Sequence, residues 1–101
     1  MPSPNKIKGN NFEREIVNTA KEAGLNAKRA YASDGRSLGH SETVDLIIEN
    51  YRIQAKRRKK LASYLQIPKD CDAVVFRQDR GNTLVLITLE QFIEICQKCK
   101  D

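Results

Sequence analysis

No apolar run in this 101-residue chain approaches the ~20 residues that a bilayer-spanning helix requires, so a membrane-spanning helix is not expected. The opening MPSPNKIKGNN lacks the apolar core of a secretory signal, and the expected compartment is the cytoplasm. Cysteine is scarce and odd in number. Cys71, Cys96 and Cys99 have no framework spacing, which argues against structural disulfides. Cys96 and Cys99 do form a CxxC, but within a helical pattern. A zinc site would need two further ligands, for which only Cys71 and the single histidine, His40, remain. Aromatics are few: Phe12, Tyr31, Tyr51, Tyr64, Phe76 and Phe92, several at core-like positions. The stacking platforms of single-strand RNA binders are therefore not evident. Internal repeats and low-complexity segments are also missing.

What remains is a small, basic globule. Hydrophobic residues make up 40% and charged residues 31%, which suits one folded domain rather than a disordered chain. The formal net charge of +5 points to a polyanionic partner, nucleic acid first and an anionic membrane surface second. Residues 1–8, polar and with two prolines, are expected to be a flexible lead-in, and residues 9–101 a single domain.

In order, Gly9-Asn10-Asn11 opens a helix whose buried stripe is Phe12, Ile16, Val17, Ala20 and Ala23, with Gly24 as its stop. Glu13 and Glu15 lie in the first turn, where acids complement the helix dipole, and Glu13 sits beside the stripe. Leu25–Tyr31 predicts a first strand bearing Lys28 and Arg29. A Gly- and Ser-rich loop follows over residues 32–42. Its Ser33, Arg36, Ser37 and His40 are suited to phosphate oxygens. After a central hairpin, Leu61, Tyr64 and Leu65 predict a short helix closed by Pro68. DAVVFRQ at 72–78 and TLVLI at 83–87 predict two strands turning through Asp79-Arg80-Gly81-Asn82. Thr88 then caps a last helix, with Gln91 as capping-box partner and Leu89, Phe92, Ile93 and Cys96 as its apolar face. The expected fold is α/β: a small mixed five-stranded sheet flanked by helices, in the order αβββαββα.

The central stretch TVDLIIENYRIQAKRRKK, residues 43–60, carries the densest chemistry. Val44–Ile48 and Tyr51–Lys56 read as strands joined at Glu49-Asn50. Asp45 sits in the first, and Gln54 and Lys56, two apart, share a face of the second. Antiparallel pairing would bring a carboxylate, an amide oxygen and an ammonium to one end of the hairpin. The cations Lys56 to Lys60 then lead away from it. This is a candidate metal-and-phosphate site.

Taken together, Glu13 within KGNNFEREIV, the Ser/Gly loop, Val44-Asp45 and Gln54-Ala55-Lys56 resemble the PD-(D/E)XK nuclease superfamily. Within it the chain is most similar to archaeal-type Holliday junction resolvases, small basic homodimers that cut four-way DNA junctions. That resemblance spans roughly residues 6 to 66. It implies a restriction-endonuclease-like core and a Mg²⁺ (or Mn²⁺) ion held by Glu13, Asp45, the Gln54 side-chain oxygen and the Ala55 carbonyl. Lys56 would then orient the attacking water or stabilise transition-state charge, making Glu13, Asp45, Gln54 and Lys56 the catalytic set. Lys8, Lys28, Arg29, Ser33, Arg36, Ser37, His40, Arg57, Arg58, Lys59 and Lys60 would contact DNA, giving affinity without sequence readout. Two departures stand out. Thr43 or Val44 occupies a place where proline is frequent, which costs no ligand. Gln54 replaces the usual Glu, which costs a charge.

The expectation is thus a metal-dependent endonuclease acting on branched DNA, encoded by a cell, phage or mobile element. The alternative is a weakened or inactive structure-selective DNA-binding protein of the same fold, motivated by Gln54.

Overall fold

The computed structural model describes residues 4–30 and 42–100, residues 4–9 by backbone alone. Helix α1 (Pro4–Glu22) leads to strands β1 (Ala27–Arg29), β2 (Leu46–Ile48) and β3 (Tyr51–Ile53). A single 3₁₀ turn at Ser63–Leu65 precedes strands β4 (Val74–Arg77) and β5 (Thr83–Leu86) and helix α2 (Leu89–Lys98). The α/β class and the element order are those expected. The five strands lie in two sheets, one of three strands and one of two. The backbone packs as two compact units, residues 1–57 with 100–101, and residues 58–99.

In the first unit, α1 begins at Pro4, within the segment expected to be a loose lead-in. Proline costs little in a first helical turn, where its missing N–H would have had no acceptor, and Gly9 is tolerated inside the helix for about 1 kcal/mol. Further along, Glu13, Ile16, Val17 and Ala20 are all buried. Their spacing of three, one and three residues is that of one helical face, so Glu13 occupies a core position of the stripe rather than a place beside it. Phe12 and Ala23 are only half-buried. The helix ends in a Schellman motif. Leu25 N–H donates to the Ala20 carbonyl at 3.0 Å, and Gly24 N–H to the Lys21 carbonyl at 2.9 Å. Gly24 takes φ of 84° there, the left-handed conformation that this motif requires.

α1 packs on β1 and β2. The sheet is antiparallel with β2 in the middle, Ala27 opposite Ile48 and Arg29 opposite Leu46 on one side, Leu46 opposite Ile53 and Ile48 opposite Tyr51 on the other. Leu46 and Ile48 are fully buried, and Leu25, Ala27, Ala30 and Val44 join them in the core. The hairpin between β2 and β3 turns at Glu49-Asn50, with Glu49 at φ of 54°.

In the second unit β4 and β5 pair antiparallel, Val74 opposite Leu86 and Arg77 opposite Thr83. Gly81 N–H donates to the Gln78 carbonyl at 2.8 Å to close their turn, and Arg80 supplies the positive φ of 65°. The segment expected as a helix around Leu61, Tyr64 and Leu65 is only the 3₁₀ turn. Leu61 and Tyr64 are exposed, so no apolar face is buried to stabilise a longer helix. Tyr64 instead sets its ring against Phe76, 6.3 Å between centroids. Thr88 caps α2 as expected. Its hydroxyl accepts from Gln91 N–H at 3.1 Å, while Gln91 Oε1 accepts from Thr88 N–H at 2.9 Å. Of the apolar face expected for α2, Ile93 and Cys96 are buried and Leu89 is exposed.

Candidate active site

The site is built where β2 begins. Asp45 precedes that strand, and its main chain is held from both sides. Its carbonyl accepts from Ala30 N–H at 2.8 Å, and its own N–H donates to the Ile53 carbonyl at 2.9 Å. Ile53, however, is the register partner of Leu46. Two residues of one strand thus face one residue of the other, the arrangement of a β-bulge. Bulges re-aim side chains, and across this one the alternation of burial still runs unbroken from Val44 to Ile48, with Asp45 half-buried. The carboxylate is then fixed in turn: its Oδ2 accepts from Ala55 N–H at 2.8 Å. A single carboxylate oxygen thereby ties the start of β2 to the residue between Gln54 and Lys56.

Gln54, Ala55 and Lys56 follow β3 outside the strand ladder. Gln54 and Lys56 are exposed and Ala55 is half-buried, so the amide and the ammonium flank an anchored backbone and both meet solvent. The alternation read from sequence persists here, although β3 itself ends at Ile53.

Glu13 comes from α1. The residue is only 5% exposed, an unusual burial for a carboxylate. Arg29 Nη1, at the end of β1, lies 3.7 Å from Glu13 Oε1, an ion pair too long for a hydrogen bond. Sequence reasoning gave Arg29 only a phosphate-tracking role. The pairing had one visible signal, the in-phase position of Glu13 with Ile16, Val17 and Ala20, because a buried acid needs a partner.

Lys28 is exposed on β1, as are Arg57, Arg58, Lys59 and Lys60 along the chain after the site. Lys8 lies within α1. Ser33, Arg36, Ser37 and His40 fall outside the described residues.

The donors suited to a divalent ion are the carboxylates of Glu13 and Asp45, the Gln54 amide oxygen and the Ala55 carbonyl. All are hard oxygen ligands, which fit Mg²⁺ or Mn²⁺ and not a thiophilic metal. Asp45 Oδ1 stands outside the bond to Ala55. Among the described residues no group of three or more His, Cys, Asp or Glu gathers, consistent with an amide at the third position. Cys96 is buried and Cys71 and Cys99 are exposed, and none of the three is in a disulfide.

At the other end of the hairpin, Lys100 Nζ lies 3.2 Å from Glu49 Oε1 and donates to the Gly24 carbonyl at 2.6 Å. Hydrogen bonding from Lys100 holds the Glu49 carboxyl below the usual glutamate range, aided by the Asn26 amides, against a smaller opposing effect of desolvation. An open cavity of about 530 Å³ at this end is lined by Lys21, Leu25, Asn26, Ala27, Lys28, Ile47 and Glu49. Among the described residues that line it are none of Glu13, Asp45, Gln54 or Lys56, and Glu49 is the one acid.

The family described as archaeal Holliday junction resolvase (hjc) matches the chain over residues 4–91. No curated protein and no solved structure matches it significantly.

Proposed function

The chain belongs to the archaeal Holliday junction resolvase family, and from that premise we propose that it is a metal-dependent endonuclease hydrolysing phosphodiester bonds in four-way DNA junctions. The observation that carries this reading is the anchoring of Asp45. A bulge and the Ala55 N–H hold its carboxylate beside Gln54 and Lys56, on the sheet against which the Glu13 helix packs.

Glu13, Asp45, Gln54 and Ala55 would hold Mg²⁺ or Mn²⁺, which when bound supplies Lewis-acid polarisation of the phosphoryl group and a more acidic water. Asp45 is pre-oriented by Ala55, so no rotamer search precedes binding. Lys56, exposed next to that anchor, orients the attacking water and offsets charge developing on the phosphoryl oxygens. Lys28 and the cations from Arg57 to Lys60 follow the backbone phosphates, with Lys8, Arg36 and the loop hydroxyls as further contacts. Such contacts select shape rather than sequence.

A junction has near two-fold symmetry, so we also propose a C₂ homodimer that addresses two strands. Val75 and Val85 support it: they face one another across β4 and β5 and both are exposed. Sedimentation at micromolar concentration should give a dimer, and a monomer with and without DNA would remove this part.

The test of the activity is cleavage of a synthetic four-way junction in a Mg²⁺ and Mn²⁺ series, beside Asp45→Ala and Lys56→Ala. Cleavage by the wild type and loss in both variants is expected. A wild type inert with both metals, on branched and linear DNA alike, would overturn the proposal. Gln54 favours a second reading, a structure-selective DNA-binding protein that has lost turnover, since an amide brings no charge to the cation. Under that reading Gln54→Glu creates cleavage where the wild type has none, and an active wild type rejects it.

A further inference from the structure

We infer that Arg29 is a resident counter-cation of Glu13 that a DNA phosphate draws away, so that cation binding and DNA binding are coupled through its guanidinium. This rests on the nuclease reading above and adds to it the order in which the site is completed.

Glu13 lies in a helical stripe with Ile16, Val17 and Ala20, where an ionised carboxylate depends on nearby positive charge. Arg29 provides it at 3.7 Å. The pairing leaves Arg29 incompletely satisfied, because its Nη1 is buried and has no hydrogen-bond acceptor among the described residues. A buried donor left without an acceptor is costly, and such groups in native structures have a reason. Meanwhile 24% of the Arg29 side chain is open, so the guanidinium is not sealed from an incoming ligand. Its planar fork matches the oxygens of a phosphate better than a single distant carboxylate oxygen does.

Charge on the donor set leads to the same conclusion. Gln54 contributes no charge, and Arg29 offsets that of Glu13, which leaves the set with one net negative charge. That is a poor resting site for a divalent ion. A substrate phosphate changes both terms: it supplies negative charge and gives Arg29 Nη1 an acceptor. The Glu13 carboxylate is then relieved of the Arg29 counter-charge. By linkage, a DNA that tightens the metal must be tightened by it to the same degree.

The test uses the full chain with Lys56→Ala to slow turnover, and reads Mn²⁺ binding from the EPR signal of the free aqua ion. Asp45→Ala serves as the blank for Mn²⁺ held by DNA or elsewhere. Arg29→Gln should bind Mn²⁺ without DNA on the order of tenfold more tightly than its parent, from removal of one positive charge near the ion. A four-way junction should tighten Mn²⁺ more in the parent than in Arg29→Gln, and Arg29→Lys should restore the parent's behaviour. Unchanged or weaker DNA-free binding in a folded Arg29→Gln overturns the inference.

A second measurement needs no substitution at Arg29. In ¹⁵N-arginine-labelled protein without metal, the Arg29 guanidinium resonance should move when the junction is added, and a resonance that stays put while the junction binds overturns the coupling. If instead no Mn²⁺ binds in an Asp45-dependent way and no junction is bound or cut, the nuclease reading falls and the inference with it.

Discussion

Replacing Asp45 separates what the carboxylate does for the fold from what it does for the reaction. Its Oδ2 accepts from Ala55 N–H at 2.8 Å in a half-buried setting. A hydrogen bond to a charged group contributes about 1.5–3 kcal/mol, and a neutral one about 1 kcal/mol. Asp45→Ala removes the acceptor and leaves the Ala55 amide to find another, a loss of about 2 kcal/mol. In a domain of this size that lowers Tm by on the order of 10 °C. Asp45→Asn retains an acceptor oxygen of the same reach and loses only the charge, so its Tm should fall by roughly half as much. Junction cleavage should respond differently, with both variants inactive, because neither offers a carboxylate to the cation. Thermal unfolding followed by circular dichroism, alongside the cleavage assay, gives both readings. Equal Tm values for the two variants would show that the Ala55 bond does not anchor the strand. Substantial cleavage by Asp45→Asn would show that the charge at this position is dispensable.

Three further substitutions probe the frame around the site. Gly24→Ala should cost about 1 kcal/mol, because a Cβ there finds open space but the residue sits at positive φ; denaturant unfolding with an unchanged midpoint would refute this. Thr88→Ala removes one half of the α2 capping box and should cost about 1 kcal/mol, read as a lower unfolding midpoint. Glu49 supplies a pH dependence. Its folded-state pKa lies below the unfolded value, so its contribution is complete above the ordinary glutamate range and is lost as pH falls through the folded value. Wild type should therefore lose its advantage over Glu49→Gln on acidification, and a difference constant from pH 7 to pH 3 would contradict the Lys100 pairing.

Local chemistry was legible in the sequence wherever one residue type dictates the backbone. Gly24 ends α1, Glu49-Asn50 turns the hairpin, and Thr88 with Gln91 caps α2, each as read. Gln54 and Lys56 were read as sharing a face from their two-residue spacing, and both are exposed. Other features depend on long-range geometry that no local pattern encodes. The bulge at Asp45 shows only once the N–H of one strand is seen to reach the carbonyl opposite the next residue. The strands were read as longer than they are because Leu25, Val44 and Ile87 continue the apolar pattern past the last ladder pair. The helix expected near Leu61 failed for the opposite reason: its spacing was helical, but Leu61 and Tyr64 are exposed and there is no buried face to stabilise it.

The two acids of the proposed site reach their positions by different means, and the difference bears on the amide at position 54. Asp45 is held by two backbone donors, Ala30 N–H and Ala55 N–H, and by one backbone acceptor, the Ile53 carbonyl, so its place does not depend on any other charge. Glu13 is buried and faces Arg29, so a charge is among the things that hold its place. A glutamate at position 54 would add a second negative charge near the cation site while Arg29 still faced Glu13. The cation could then bind without DNA, and the coupling would be lost along with the need for it. On this argument Gln54 and Arg29 act in the same direction, both lowering the resting affinity for a divalent ion. Gln54→Glu should accordingly raise Mn²⁺ affinity in the absence of DNA and reduce the further gain on adding a junction, measured by the same EPR titration. A variant that tightens Mn²⁺ equally with and without the junction would break the link between residue 54 and the ordering of the site.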